Sequence, residues 1–136
     1  MEMLTLPDGT RLKLHDWPLE RLSHGRVLIV HGLGEHGGRY AHVAAALNRA
    51  GWQVQAYDHR GHGDSGGARG AIPRPESLCE DLAVVIDALR DRSGPLVLLG
   101  HSMGGLVAAR FVAEALAPRP AAWSRPVDAL VLSSPA

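Results

Sequence analysis

Three short runs of unbroken apolar residues constrain this chain more than anything else in it: Val27-Leu28-Ile29-Val30, Leu96-Val97-Leu98-Leu99 and Ala129-Leu130-Val131-Leu132. A strand that is apolar at every position must be covered on both faces, which is the condition of a parallel strand between two layers of helices. The first run stops at His31-Gly32 and the second at Gly100, and Trp52 to Tyr57 reads as a fourth strand ending at Asp58. Between the runs the apolar spacing changes to three and four. Val43, Ala46, Leu47 and Ala50 mark a helix over 39–50 that stops at Gly51; Leu78, Leu82, Val85, Ile86 and Leu89 mark one over 77–92; Leu106, Val107, Phe111 and Leu116 mark one closed by Pro118. Ser77 and Glu80 have capping-box spacing, and Arg90 and Arg92 fall in the last turn of that helix, where cations suit its dipole. Leu4 to Leu6 and Arg11 to His15 flank the turn signal Pro7-Asp8-Gly9 and predict an N-terminal hairpin. The order hairpin, β, α, β, α, β, α, β predicts an α/β layered fold with a parallel sheet.

Composition narrows the function classes. A length of 136 residues suits one domain. With 46% hydrophobic and 21% charged residues the chain is not a disordered one. Lys+Arg and Asp+Glu both number 14, a balance that argues against a general nucleic-acid binder or a polybasic membrane anchor. The single cysteine, Cys79, has no partner for an internal disulfide or a shared zinc, and reads as a core helix residue. No apolar run approaches the roughly 20 residues of a membrane span. The first eight residues lack the basic and apolar regions of a secretion signal, so the expected location is the cytoplasm.

Three glycine patterns carry the candidate chemistry. Gly100-His101-Ser102-Met103-Gly104-Gly105 fits G-x-S-x-G with a buried strand before it and a helix after it. That is the context of a nucleophile elbow, in which a serine sits on a turn so tight that its flanking residues must be small. The helix N-terminus below it aims N–H groups at developing negative charge. A second G-x-S-x-G, Gly63-Asp64-Ser65-Gly66-Gly67, has no strand running into it and two prolines where a helix should follow; it reads as a glycine-rich surface loop. Gly32-Leu33-Gly34-Glu35-His36-Gly37 fits G-x-G-x-x-G after a strand, with Asp58 at the end of the next strand as a ribose-binding acid. Against that dinucleotide reading, Glu35 would place a carboxylate in the pyrophosphate cradle, and Gly37-Gly38 delay the helix to about Arg39. The eight histidines show no metal-binding helix spacing, so a metal site is not expected.

Taken together, these segments resemble the monoacylglycerol lipase and lysophospholipase branch (serine aminopeptidase-like) of the serine α/β-hydrolases. The carriers are His31-Gly32-Leu33-Gly34-Glu35-His36 with Arg39-Tyr40, Tyr57-Asp58-His59-Arg60-Gly61-His62-Gly63-Asp64-Ser65, and the elbow around Ser102. The resemblance implies an α/β-hydrolase fold, present as the N-terminal portion of one domain over 1–136, without its lid and C-terminal strands. It implies Ser102 as nucleophile and the backbone N–H groups of Leu33 and Met103 as oxyanion donors, with Gly32, Gly34 and His101 beside the substrate. The implied substrate is a single-chain acyl ester, such as a monoacylglycerol or lysophospholipid, and the resemblance implies no metal or organic cofactor. His31 and His101 are expected to brace loops; Asp58, Arg60 and Asp64 to tie down the loop after the fourth strand; His36 and Arg39 to do likewise or line the entrance.

The fold's triad follows the order Ser, acid, His. All eight histidines lie at or before His101, and after Ser102 the only acids are Glu114 and Asp128. Glu114 falls within a helix, and Asp128 at the end of the sheet opposite Ser102, so neither suits a triad acid. The triad acid and histidine are therefore absent from these residues, His31 or His101 being the nearest substitute base. The chain alone is expected to be nearly inactive and to represent a truncated or partial esterase, with a non-catalytic α/β-hydrolase-fold binding protein as the alternative. Expected partners are the ester itself, a lipid surface at the periphery, and a second copy through the exposed edge of the last strand.

Overall fold

The computed structural model describes residues 2–89 and 94–136. The elements are β1 (Met3–Thr5), β2 (Arg11–Trp17), β3 (Arg26–Val30), a 3-10 turn (Gly37–Tyr40), α1 (Ala41–Arg49), β4 (Gln53–Tyr57), α2 (Ser77–Leu89), β5 (Leu96–His101), α3 (Met103–Glu114) and β6 (Ala129–Ser133). The sheet order is β1-β2-β4-β3-β5-β6. The hairpin β1–β2 joins the sheet antiparallel through β2 on β4, and β4, β3, β5 and β6 run parallel. The expected hairpin and the four expected strands are all present, in a mixed sheet.

Alternation along β3 explains why that run had to be apolar throughout. Val27 and Ile29 pack with Tyr40, Ala44, Val54 and Ala56 under α1. Leu28 and Val30 face the other way, into the larger core with Leu82, Val85 and Ile86 of α2 and Val107 and Phe111 of α3. Each such side chain contributes roughly 1.5–3 kcal/mol by leaving water. Cys79 is buried in this second core, and burial pushes its thiol up to about 11.

Two local expectations change. Ser77 does not cap α2 from outside: Glu80 N–H already bonds the Glu76 carbonyl, so the turn begins ahead of Ser77. The Ser77 hydroxyl instead accepts the Arg74 N–H at 3.0 Å, and Glu80 pairs with the Arg74 guanidinium at 2.5 Å. Arg90 and Arg92, expected in the last turn of this helix, lie outside the described residues. The glycine-rich segment after β4, expected at the surface, has Ser65 buried, because long-range polar bonds pull it inward. Ser65 Oγ donates to the Asp58 carbonyl at 2.6 Å and accepts the Lys13 N–H at 2.9 Å. Arg60 makes a two-pronged pair with Asp81 of α2, at 2.6 and 2.8 Å, and reaches Asp8 of the hairpin turn at 2.9 Å. Asp64 takes part through its backbone N–H, which donates to Asp58 Oδ2 at 3.0 Å.

Candidate active site

Between the end of β5 and the start of α3 there is a single residue, Ser102. It sits at φ 55°, ψ −120°, a conformation that costs a non-glycine residue about 1–3 kcal/mol. Its backbone is held on both sides: the N–H donates to the Ser133 carbonyl at 3.0 Å, and its carbonyl accepts from Gly105, Leu106 and Ala136. The hydroxyl caps no amide of α3. The flanking glycines are sterically required. A Cβ on Gly100 would lie 2.5 Å from the Gly104 carbonyl oxygen, and one on Gly104 would lie 2.0 Å from that of Val30. Met103 is the first residue of α3, so its N–H has no partner within the helix; its side chain packs against the larger core.

The loop after β3 lies against this bend. A Cβ on Gly32 would meet Ser102 Cβ at 3.2 Å and the His101 carbonyl oxygen at 3.3 Å. Leu33 is 68% exposed, and its N–H has no hydrogen-bond partner among the described residues. Gly34 follows at φ +74°, in open space. Glu35 folds back over the loop, where one carboxylate oxygen accepts the Gly32 N–H at 2.6 Å and the Tyr40 hydroxyl at 2.7 Å, with Arg39 at 3.5 Å from the other. Burial pushes this carboxyl up, but the Tyr40 and Gly32 donors outweigh it and hold it below the ordinary range. Sequence reasoning missed this clasp; the available signal was a carboxylate three residues after a glycine whose amide needed a partner.

Asp58 anchors the same loop from β4. Its Oδ1 accepts the Gly37 N–H at 2.7 Å and lies 2.8 Å from His15 Nε2. Burial raises its pKa, but these donors and the Asp64 amide hold it at about 2. The amides of Gly32 and Gly37, which a pyrophosphate would need, thus already serve two carboxylates of the chain itself.

The histidines divide by role. His31 is fully buried, its Nδ1 2.7 Å from the Gly32 carbonyl oxygen and its Nε2 accepting the His59 N–H at 2.9 Å. His31 therefore braces the loop. His101 is half-buried beside Ser102, with Nδ1 3.0 Å from Ser133 Oγ. It lines a cavity of about 330 Å³ with Glu35, Arg39, Tyr40, His42 and Ser133, on the α1 side of the sheet. Arg39 thus lines this opening, whereas the imidazole of His36 lies against Gly38. The acids stay apart from Ser102: Asp128 accepts the Leu96 N–H at 2.7 Å at the far end of β5, and Glu114 accepts the Ala121 N–H at 2.8 Å. Among the described residues no three His, Cys, Asp or Glu side chains group to hold a metal ion.

Residues 22–136 match the family described as serine aminopeptidase, S33. The chain belongs to this family. Among relatives of this serine aminopeptidase-family chain, the monoacylglycerol lipase of Mycolicibacterium smegmatis is 38% identical over 130 residues, covering 94% of this chain and 44% of that protein. The crystal structure of Paleococcus ferrophilus monoacylglycerol lipase superposes with a TM-score of 0.70 at 36% identity, over 91% of this chain and 43% of that one. A soluble variant of Saccharomyces cerevisiae monoglyceride lipase gives a TM-score of 0.82 over 98% of this chain and 43% of that one; at 22% identity it speaks to the fold alone. The six-stranded sheet and its helices are thus part of the α/β-hydrolase fold, and this family member spans less than half the length of these relatives. No helix among the described residues is long and apolar enough to cross a membrane.

Proposed function

We propose that residues 1–136 form the N-terminal portion of an α/β-hydrolase domain whose activity is carboxylic ester hydrolysis, with Ser102 as nucleophile. The observation that carries this reading is the strained backbone of Ser102 at the β5–α3 junction, with a hydroxyl that caps nothing. The substrate class is a single-chain acyl ester of the monoacylglycerol or lysophospholipid kind, in keeping with the names of the relatives. Ser102 Oγ bonds to the ester carbonyl carbon as the C=O electron pair moves onto oxygen. The N–H groups of Leu33 and Met103 receive that charge, each such donor contributing about 2.7–4 kcal/mol. The alcohol then leaves with a proton, and water releases the acid from the serine. Glu35 and Asp58 hold the loop that presents the Leu33 amide.

The proton acceptor is not assigned among residues 1–136. Both ring nitrogens of His31 are engaged, and no histidine follows Ser102. Without a base, turnover falls on the order of 10⁶-fold, leaving about 10³–10⁴ over water from binding and the oxyanion donors. The second reading is a non-catalytic binding protein on this fold. A fluorophosphonate probe and a nitrophenyl ester distinguish the two when the chain is joined to the C-terminal part of the Mycolicibacterium smegmatis relative. Labelling and turnover that vanish in Ser102→Ala support hydrolysis. A folded chimera with neither supports the binding reading.

A further inference from the structure

The two peptide units on either side of Gly32 carry four polar backbone groups. In the first unit, the His31 carbonyl oxygen lies 2.9 Å from His59 Nε2, and the Gly32 N–H donates to Glu35 Oε2 at 2.6 Å. In the second, the Gly32 carbonyl oxygen lies 2.7 Å from His31 Nδ1. The fourth group, the Leu33 N–H, has no partner among the described residues. Three of the four are thus held by side chains, and the one left over is the amide that the reading of Ser102 needs for the oxyanion.

The ring protons at these contacts follow from the partners. The His59 backbone N–H donates to His31 Nε2, so that nitrogen presents its lone pair. A neutral imidazole then carries its proton on Nδ1, and Nδ1–H donates to the Gly32 carbonyl oxygen. His31 is fully buried, and burial lowers its pKa, which keeps the ring neutral. His59 has the opposite tautomer: a carbonyl only accepts, so its Nε2 bears the proton.

A planar trans peptide points its C=O and N–H in opposite directions. Holding the Gly32 carbonyl from the buried ring of His31 therefore turns the Leu33 N–H outward, where Leu33 itself is exposed. A hydrogen bond at the carbonyl oxygen also polarises the amide and makes its N–H the stronger donor. Gly32 lies against the elbow, a Cβ there meeting Ser102 Cβ at 3.2 Å, so any rotation of this peptide moves its N–H relative to the serine.

We propose that His31 is a positioning residue for the oxyanion: its Nδ1–H holds the Gly32 carbonyl and thereby aims and polarises the Leu33 N–H. The proposal rests on Ser102 as nucleophile and on the Leu33 amide as oxyanion donor. It gives a buried histidine a part in the reaction without contact with substrate. Glu35 fixes the preceding peptide and Asp58 the Gly37 end of the loop. Among the described residues, His31 is the side chain that bonds the peptide unit carrying the Leu33 N–H.

The test has two arms. In the full chain near pH 7, proton-detected ¹⁵N spectra should show a neutral His31 with its proton on Nδ1 and a coupling across the hydrogen bond to the Gly32 carbonyl carbon. A proton on Nε2, or a charged ring, overturns the proposal. In the chimera with the C-terminal part of the Mycolicibacterium smegmatis relative, His31→Ala should lower kcat for a nitrophenyl ester on the order of 10²-fold with KM nearly unchanged, the loss expected of a misplaced oxyanion donor. His31→Asn, whose side-chain N–H can take the place of Nδ1–H, should recover most of that loss. An unchanged kcat in folded His31→Ala, or folded Ala and Asn variants that lose kcat equally, overturns the positioning role. Turnover that is absent from the folded parent chimera, or that survives Ser102→Ala, overturns the reading of Ser102 itself, a result distinct from any outcome of the His31 variants. Where a His31 variant does not fold, the spectrum of the full chain decides.

Discussion

His31 and His59 hold each other in a reciprocal pair of hydrogen bonds, the His59 N–H on His31 Nε2 and His59 Nε2 on the His31 carbonyl oxygen, both at 2.9 Å. The two rings meet edge to face at 4.3 Å, with His62 close to both. This is the joint between the ends of β3 and β4, directly beneath the loop that presents Leu33.

The joint makes stability fall in mild acid. Burial, with His31 next to it, pushes His59 down from 6.5 to about 3, and burial likewise lowers His31. Both imidazoles are then neutral in the folded chain but take up protons near pH 6.5 when it unfolds. For His59 stability is complete above that value and drains away as pH falls from 6.5 toward 3, by up to about 1.4 kcal/mol per pH unit, and the lowered His31 adds a loss of the same sign below 6.5. Asp58, held at about 2, adds its own loss only below its ordinary value of 3.8. Urea midpoints should stay level down to about pH 6.5 and then drop toward pH 5, and less so in His59→Gln. A flat profile over that window would contradict the account.

Gly104→Ala should be among the most damaging single-methyl additions. The new carbon would sit 2.0 Å from the Val30 carbonyl oxygen and 2.4 Å from that of His31, both backbone atoms of the central strand region. A loss above about 3 kcal/mol, or failure to accumulate folded protein, is expected. Gly34→Ala meets no neighbour and bears only its positive φ, so about 1–2 kcal/mol is expected there. Denaturation of both variants would test the contrast, and equal losses would refute it.

At Ser102 the usual order of alanine and glycine should reverse. At an unstrained position alanine is the more stable by about 0.4–1 kcal/mol. At φ 55° the Cβ is a liability, so Ser102→Gly should exceed Ser102→Ala in stability by about 1 kcal/mol. Thermal unfolding of the two variants side by side decides it; the ordinary order would mean the bend stores no strain.

The edge of β6 should drive self-association. Val131 is 48% exposed and Leu132 41% exposed on a strand that, among the described residues, pairs with β5 alone. Such an edge offers unpaired backbone groups to a second copy. Sedimentation velocity should show association that grows with concentration and recedes in Val131→Lys. A monomer at every concentration would set this expectation aside.

The strands and the bend were legible because their signals are local. Val27 to Val30 had to be buried on both faces, and Gly100 and Gly104 mark the elbow within five residues of each other. What escaped was the identity of long-range polar partners, although Arg60 was expected to tie down its loop. Arg60 lies 21 residues from Asp81 and 52 from Asp8, so no spacing rule announces the triad that pins the loop after β4. Ser77 shows the opposite failure: its capping-box spacing is local, but the turn contributed by Glu76 had already started the helix. The clasp of Glu35 on Gly32 lay within four residues and still went unseen, because a carboxylate there first reads as an obstacle to phosphate.

The hydrogen bonds that Ser102 makes to Ser133 and Ala136 have a practical corollary for anyone handling this chain. Ser133 and Ala136 hold the main chain of Ser102 from across the bend, so a chain shortened to residues 1–132 would lose both contacts and let the serine's backbone shift.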